Sequence, residues 1–139
     1  MCAHYGHLVR ILHWCCDQTM TEALNQVDLT ASQGRLMAFV AHRGQQPTYA
    51  RDVEAELHLT HPTVSGLLAR LEQKGFVEGF GSASDRRVKL VRITASGAAC
   101  CGLAEQNMAL AEEELLSGLT ETERDIFNSL LRKVRDSLR

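Results

Sequence analysis

A mainly helical fold with one small β element (mainly α, of the α+β kind) is what this 139-residue sequence predicts, on three observations. Apolar residues recur at three- and four-residue spacing over most of the chain, the pattern of helices that bury one face. Two short runs rich in β-formers, 76–80 and 88–94, interrupt that pattern and flank a stretch of small residues ending in paired arginines. A helix with its own start and stop signals, 60–74, runs directly into the first of them. Helix, turn, ribbon and helix in that order make a winged helix-turn-helix, here with a two-stranded β wing and long N- and C-terminal helices.

Each element has its own local reason. Leu8, Ile11, Leu12, Cys15 and Thr19 keep helical spacing in a first helix that ends near Asn25. Thr30 with Gln33 makes a capping box for a second helix carrying Leu36, Phe39 and Val40, which Gly44 stops. Pro47-Thr48 starts a short third helix in which Val53 and Leu57 face inward, and His58-Leu59 turns the chain into the fourth. That helix begins at Thr60, whose hydroxyl suits the free N–H groups of the first turn, and Pro62 sits where a missing N–H costs little. Val64, Leu67, Leu68 and Leu71 recur at i, i+3, i+4 and i+7 and pack inward, which turns His61, Thr63, Ser65, Gly66, Arg70 and Gln73 outward. Lys74-Gly75 closes the helix, glycine taking the left-handed cap conformation. Phe76 to Phe80 and Val88 to Thr94 are the strands of the wing. A long alanine-rich helix runs from Ala95 to about Ser117, and Thr120 with Glu123 caps a last one bearing Ile126, Phe127, Leu130, Leu131, Val134 and Leu138.

Short polar groups near a helix N-terminus are what a recognition helix offers to base edges, so Thr60, His61, Thr63, Ser65, Gly66 and Arg70 are candidate DNA contacts. The third helix would cross the DNA backbone, which makes Arg51 in its first turn a candidate for a phosphate. At the wing tip, Arg86 and Arg87 can enter a minor groove or bind phosphates, and Asp85 can hold Arg87 extended through a bidentate pair. The formal net charge of −2 is unusual for a DNA binder, but the distribution is uneven. Between Thr60 and Gly97, Arg70, Lys74, Arg86, Arg87, Lys89 and Arg92 outnumber Glu72, Glu78 and Asp85, whereas the segment from Ala98 onward is acidic. The positive field is local, so few phosphate contacts are expected.

In several places at once the chain resembles the MarR family of bacterial transcriptional regulators. Leu29-Thr30-Ala31-Ser32-Gln33 looks like the family's opening of the second helix, and residues 57–65 like its turn into the recognition helix. Leu71-Glu72-Gln73-Lys74-Gly75-Phe76-Val77 resembles its helix-to-strand exit, Asp85-Arg86-Arg87 its wing, and Ile93-Thr94-Ala95-Ser96-Gly97 its entry into the fifth helix. Order and spacing together carry the resemblance, which covers about half the chain. Two departures remove possible DNA contacts: Gly66 and Gly79 stand where the family often has a larger polar or basic residue and an arginine. Gly66 also costs roughly 1 kcal/mol of helix propensity unless it permits a close approach to DNA or to a neighbouring helix.

The apolar faces of the terminal helices exceed what a small winged helix can cover, which argues for a homodimer. The resemblance implies the same, through the first, fifth and sixth helices. The expected organisation is a single MarR-like domain, 1–139, with 30–97 as the DNA-binding region and 1–28 and 98–139 as dimerisation helices. The expected partners are double-stranded DNA, read as a pseudo-palindromic operator, and a second copy of the chain. The resemblance also implies repression relieved by a small aromatic or apolar effector between the dimerisation helices and the winged helix. His13, Trp14 and Phe39 are candidate lining residues there, with plain core as their alternative.

Five cysteines include two vicinal pairs, Cys15-Cys16 and Cys100-Cys101, on helices expected to approach each other. Oxidant sensing through a Cys15/Cys16 to Cys100/Cys101 pairing is one alternative function, against the ordinary reading of buried cysteine as a small hydrophobe. A winged helix used for protein contacts is the other. His4, His7 and His13 match no compact zinc spacing, so neither a metal nor any other cofactor is expected. No nucleophile–base spacing, phosphate loop or C-x-x-C motif suggests an enzyme. No run of about 18 apolar residues and no basic-then-apolar leader occurs, which gives no membrane span and a cytoplasmic expectation.

Overall fold

The computed structural model describes residues 4–44, 46–81 and 88–138. Six helices and three strands follow in the order α1 (Tyr5–Asn25), α2 (Ala31–His42), β1 (Thr48–Tyr49), α3 (Ala50–Leu57), α4 (His61–Gln73), β2 (Val77–Gly81), β3 (Lys89–Ile93), α5 (Ala95–Leu115) and α6 (Glu121–Ser137). The capping boxes Thr30/Gln33 and Thr120/Glu123 both form, with each side chain accepting from the other residue's backbone N–H. Gly44 and Gly75 take positive φ just past α2 and α4, where the sequence places them as stops.

Two local expectations are corrected. Thr48 and Tyr49 do not open the third helix. They pair antiparallel with β3, Thr48 opposite Val91 and Tyr49 opposite Leu90, so the sheet has three strands in the order β1-β3-β2 and not two. Threonine and tyrosine favour extended backbone, and Thr48 is buried by the pairing, so α3 starts only at Ala50. Thr60 is the N-cap residue of α4, but its hydroxyl makes no cap bond. It lies 2.9 Å from the Thr63 hydroxyl, which satisfies one side chain with another and leaves the first-turn N–H groups without a side-chain cap from Thr60.

The core is built on α2, α3, α4 and β3: Leu36, Met37, Val40, Val53, Val64, Leu68, Leu71 and Val91 have no exposed surface. Leu67, the remaining member of the α4 stripe, packs against this core half-buried. Behind the wing, Thr94 joins three elements. Its hydroxyl donates to Gly75 O at 2.6 Å and accepts from Gly97 N at 3.0 Å, and its own N–H donates to Phe76 O at 3.1 Å. Gly97 is there because a Cβ would fall 2.0 Å from Phe76 O.

The terminal helices are different. α1 and α5 run antiparallel, tied by Asn107 Nδ2 donating to Ala23 O at 3.3 Å and by the Cys100 thiol on Val27 O at 3.8 Å. The first half of α5 belongs to the core, with Gly97, Cys100 and Ala104 buried. α6 buries no residue, and it is tied to α5 by the ion pair of Arg124 Nη1 with both oxygens of Glu113, each at 2.9 Å.

Candidate nucleic-acid interface

The inward stripe of α4 leaves one face open, and Thr60, His61, Thr63, Ser65, Gly66 and Arg70 are all exposed on it. The turn that brings this helix round from α3 is closed by His58 at φ 53° and by Leu59 N donating to Glu54 O at 3.1 Å. Glu54 also reaches across the turn, its Oε1 lying 2.5 Å from His61 Nδ1. Arg51, at the start of α3, is exposed and lies over the Tyr49 ring, 4.6 Å from its centroid. Asp85, Arg86 and Arg87 lie outside the described residues.

The local positive field is weaker than a residue count implies, because three of its cations are engaged inside the molecule. Lys74 bonds Asp28 O and Gln33 Oε1 (3.2 Å) and faces the Asp28 carboxylate at 3.4 Å, so it fastens the end of α4 to the α1–α2 turn. Lys89 pairs with Glu72 at 2.6 Å, and Arg92 pairs with Glu78 while lying over the Phe80 ring. Among the described residues, Arg70 alone of the basic side chains between Thr60 and Gly97 has no carboxylate partner. Of the two glycine departures, Gly79 gains a structural reason and Gly66 does not. A Cβ at Gly79 would fall 2.7 Å from both Glu72 Oε1 and Lys89 Cε, so glycine leaves room for that ion pair. A Cβ at Gly66 would meet nothing within 4 Å, so no neighbouring helix requires the glycine.

The candidate effector residues do not converge. Trp14 is 63% exposed beside His7, Arg10 and Ile11, His13 is exposed, and Phe39 packs half-buried against the core from α2. A groove of about 730 Å³ opens instead between Leu12, Cys16 and Met20 of α1, Leu115 and Leu116 at the end of α5, and Phe127 and Leu131 of α6. Residues four apart share a helix face, whereas Trp14, two after Leu12, points to the opposite side.

Cys15, Cys16, Cys100 and Cys101 are free thiols. Within one chain the pairing of the oxidant-sensing alternative is ruled out by the antiparallel packing. Cys100 sits at Val27, beyond the end of α1, and roughly 13 Å of helix separates Cys16 from that end, too far for a disulfide. Burial pushes the Cys100 thiol up, against the Lys74 cation and with the Asp28 carboxylate. Burial, then Cys100 and Glu105, pushes Cys101 up to about 11. Both hold little thiolate at neutral pH. Among the described residues no group of three histidine, cysteine or acidic side chains is placed to hold a metal, and no helix is long and apolar enough to cross a membrane.

Sequence reasoning missed two participants in this surface, Glu54 and Tyr49. Glu54 meets His61 across a turn and Tyr49 meets Arg51 at a strand-to-helix junction. Neither contact follows a helical or strand period that a sequence displays.

The profile of the MarR family matches residues 27–88, the span from the α1–α2 turn to the wing. The transcriptional regulator HosA of Escherichia coli O127:H6 is 31% identical over 110 residues, covering 79% of this chain and 80% of HosA. The fold superposes on MepR, a transcription regulator of the Staphylococcus aureus multidrug efflux pump MepA, with a TM-score of 0.86 and 28% identity over 99% of this chain and all of MepR. It also superposes on a mutant of Escherichia coli MarR complexed with operator DNA, with a TM-score of 0.74 and 28% identity over 93% and 91% of the two chains. A winged helix with an open recognition-helix face, the matching profile and relatives similar over most of their length lead to one conclusion: the chain belongs to the MarR family of DNA-binding transcriptional regulators.

Proposed function

We propose that the protein is a repressor that binds a pseudo-palindromic operator as a homodimer and is released by an apolar or aromatic effector. The observation that carries this reading is the open face of α4, on which Thr60, His61, Thr63, Ser65 and Arg70 stand exposed with no other described element covering them. The likeness to MarR in complex with operator DNA supports the same use of that face. Arg51 and the wing arginines Arg86 and Arg87 serve the phosphates or the minor groove on either side, with Asp85 orienting Arg87.

Dimerisation is supported by apolar surface that one chain leaves uncovered: Leu8, Val9, Ile126, Leu130 and Val134 are each more than half exposed on α1 and α6. A twofold axis through these helices would set the two α4 helices one turn of DNA, about 10 bp, apart. The groove between α1, α5 and α6 adjoins the same helices, so a ligand seated there would alter the spacing of the recognition helices by favouring one arrangement of the dimer.

Binding to DNA from the protein's own upstream region, measured across a salt series beside an Arg87→Ala variant, tests the reading. Saturable binding that weakens with salt is expected, with a log–log slope shallower by about one for each phosphate that the variant no longer neutralises. Absence of specific binding at low salt would shift the assignment to a winged helix used for protein contacts.

A further inference from the structure

Glu54 and His61 stand 2.5 Å apart on consecutive helices, and their burial is unequal. The His61 side chain is 73% exposed and the Glu54 side chain 24%. The carboxylate is therefore a support on the protein side of the ring, and the opposite edge of the imidazole faces solvent from the first turn of α4. The surroundings reserve Glu54 for this contact. Arg51 lies one turn before Glu54 on α3, where it could pair with it, but its guanidinium lies over the Tyr49 ring. Lys89, which shares the small cleft of about 210 Å³ with Tyr49, Arg51, Glu54 and His61, is held by Glu72. Among the described residues the Glu54 carboxylate has His61 as its one charged or hydrogen-bonding side-chain partner.

An ionised carboxylate only accepts hydrogen bonds, so Nδ1 must carry the proton it receives. In the neutral ring Nε2 is then left without a proton and is an acceptor. Once the ring is protonated, Nε2 is a donor. In the major groove the amino groups of adenine and cytosine are the donors, while N7 and O6 of guanine, N7 of adenine and O4 of thymine are acceptors, so cytosine alone offers no acceptor. We propose that Glu54 is a positioning residue that fixes the tautomer of His61. Through it, His61 selects an amino-bearing base, adenine or cytosine, at one position of each half-site when neutral, and rejects cytosine in favour of an acceptor-bearing base when protonated. This rests on the DNA-binding reading above and adds to it a residue-level rule of specificity. Tyr49, Arg51 and Lys89 also face the cleft. The first two hold each other and the third is paired, so Glu54 and His61 are the groups that set the change.

The test is repeated selection from a duplex pool randomised over about 20 bp, run with the whole chain at about pH 8 and about pH 5, the two ends of the range over which a histidine side chain changes charge. The wild-type protein, His61→Ala and Glu54→Gln are compared. At one position per half-site cytosine should be lost and guanine or thymine admitted on going from the higher to the lower pH, with the rest of the motif constant. In His61→Ala that position should lose its preference at both pH values, by roughly tenfold or more, the weight of one good base contact. Glutamine can donate as well as accept, so Glu54→Gln should relax the preference at high pH while the protein keeps its motif elsewhere, a result that a merely structural role for Glu54 would not give. An enriched motif that is the same at both pH values, or unchanged in His61→Ala, overturns the dyad and leaves the regulator standing. No enrichment by the wild-type protein overturns the DNA-binding reading and the dyad with it.

Discussion

A methyl group added at Gly97 would lie 2.0 Å from Phe76 O and 2.9 Å from Ile93 Cγ1, and the nearer of these is backbone held by Thr94. The turn cannot yield without breaking the Thr94 bonds that join α4, the wing and α5. Gly97→Ala is therefore expected to lower unfolding free energy by about 2–3 kcal/mol, the scale of overpacking in a tight site, as read by chemical denaturation. A loss below a few tenths of a kcal/mol would mean that this junction is soft. At Cys101 the expectation concerns reactivity. Its thiol is pushed from 9.0 up to about 11, so the folded protein holds the proton more tightly than the unfolded chain. That contribution to stability is fully present below about pH 9 and drains away as pH rises toward 11, because the unfolded chain loses its proton first. Alkylation of Cys101 in the folded protein should accordingly be slow at neutral pH and accelerate only as pH approaches 11. Fast labelling at neutral pH would revive the oxidant-sensing alternative.

At the scale of elements, what was legible in the sequence was whatever is decided locally. Thr30 with Gln33, Thr120 with Glu123, and glycines 44 and 75 announce helix ends through bonds within four residues, and all four behave as read. The inward stripe of α4 was legible for the same reason. Contacts made across the chain were not. The partners of β1 lie more than forty residues away, so two residues that favour extended backbone were too short a run to show that they formed a strand. The engagement of Lys74 by Asp28 and of Lys89 by Glu72 likewise depends on folding, and a count of charges overstates the cations free for DNA. Which wing residues contact DNA was read from the sequence and stands as a proposal. β1 carries its own prediction. The Thr48 hydroxyl is buried without a hydrogen-bond partner among the described residues, in a side chain with no exposed surface. Thr48→Val keeps the shape and β-branching and removes the unpaired oxygen, so a gain of about 1 kcal/mol in thermal or chemical unfolding is expected. A loss of similar size would reveal a hydrogen bond at this position.

For the whole molecule, the contrast between the buried middle of the chain and its two uncovered ends is the argument for a partner. The winged helix closes around its own core, whereas α6 buries nothing and the first half of α1 carries Tyr5, Leu8, Val9 and Trp14 more than half exposed. Isolated amphipathic helices of this length are marginal in water, so a long helix whose apolar face is left uncovered is an argument for a partner and not for a tail. Leu131 stands on α6, 49% exposed, at the border between the groove and the uncovered face. Leu131→Arg places a charge in any interface formed there while disturbing no residue of the winged-helix core. The expected result in sedimentation is a shift from two chains to one at micromolar concentration, with the helical circular dichroism of the remaining structure retained. Operator binding should then fall by at least about a hundredfold, because each winged helix must find its half-site without the other holding it nearby. The salt dependence should fall to about half, since half as many phosphates are neutralised per bound particle. A monomeric variant that kept full affinity and the full salt slope would show that one winged helix suffices, and the twofold operator would have to be abandoned.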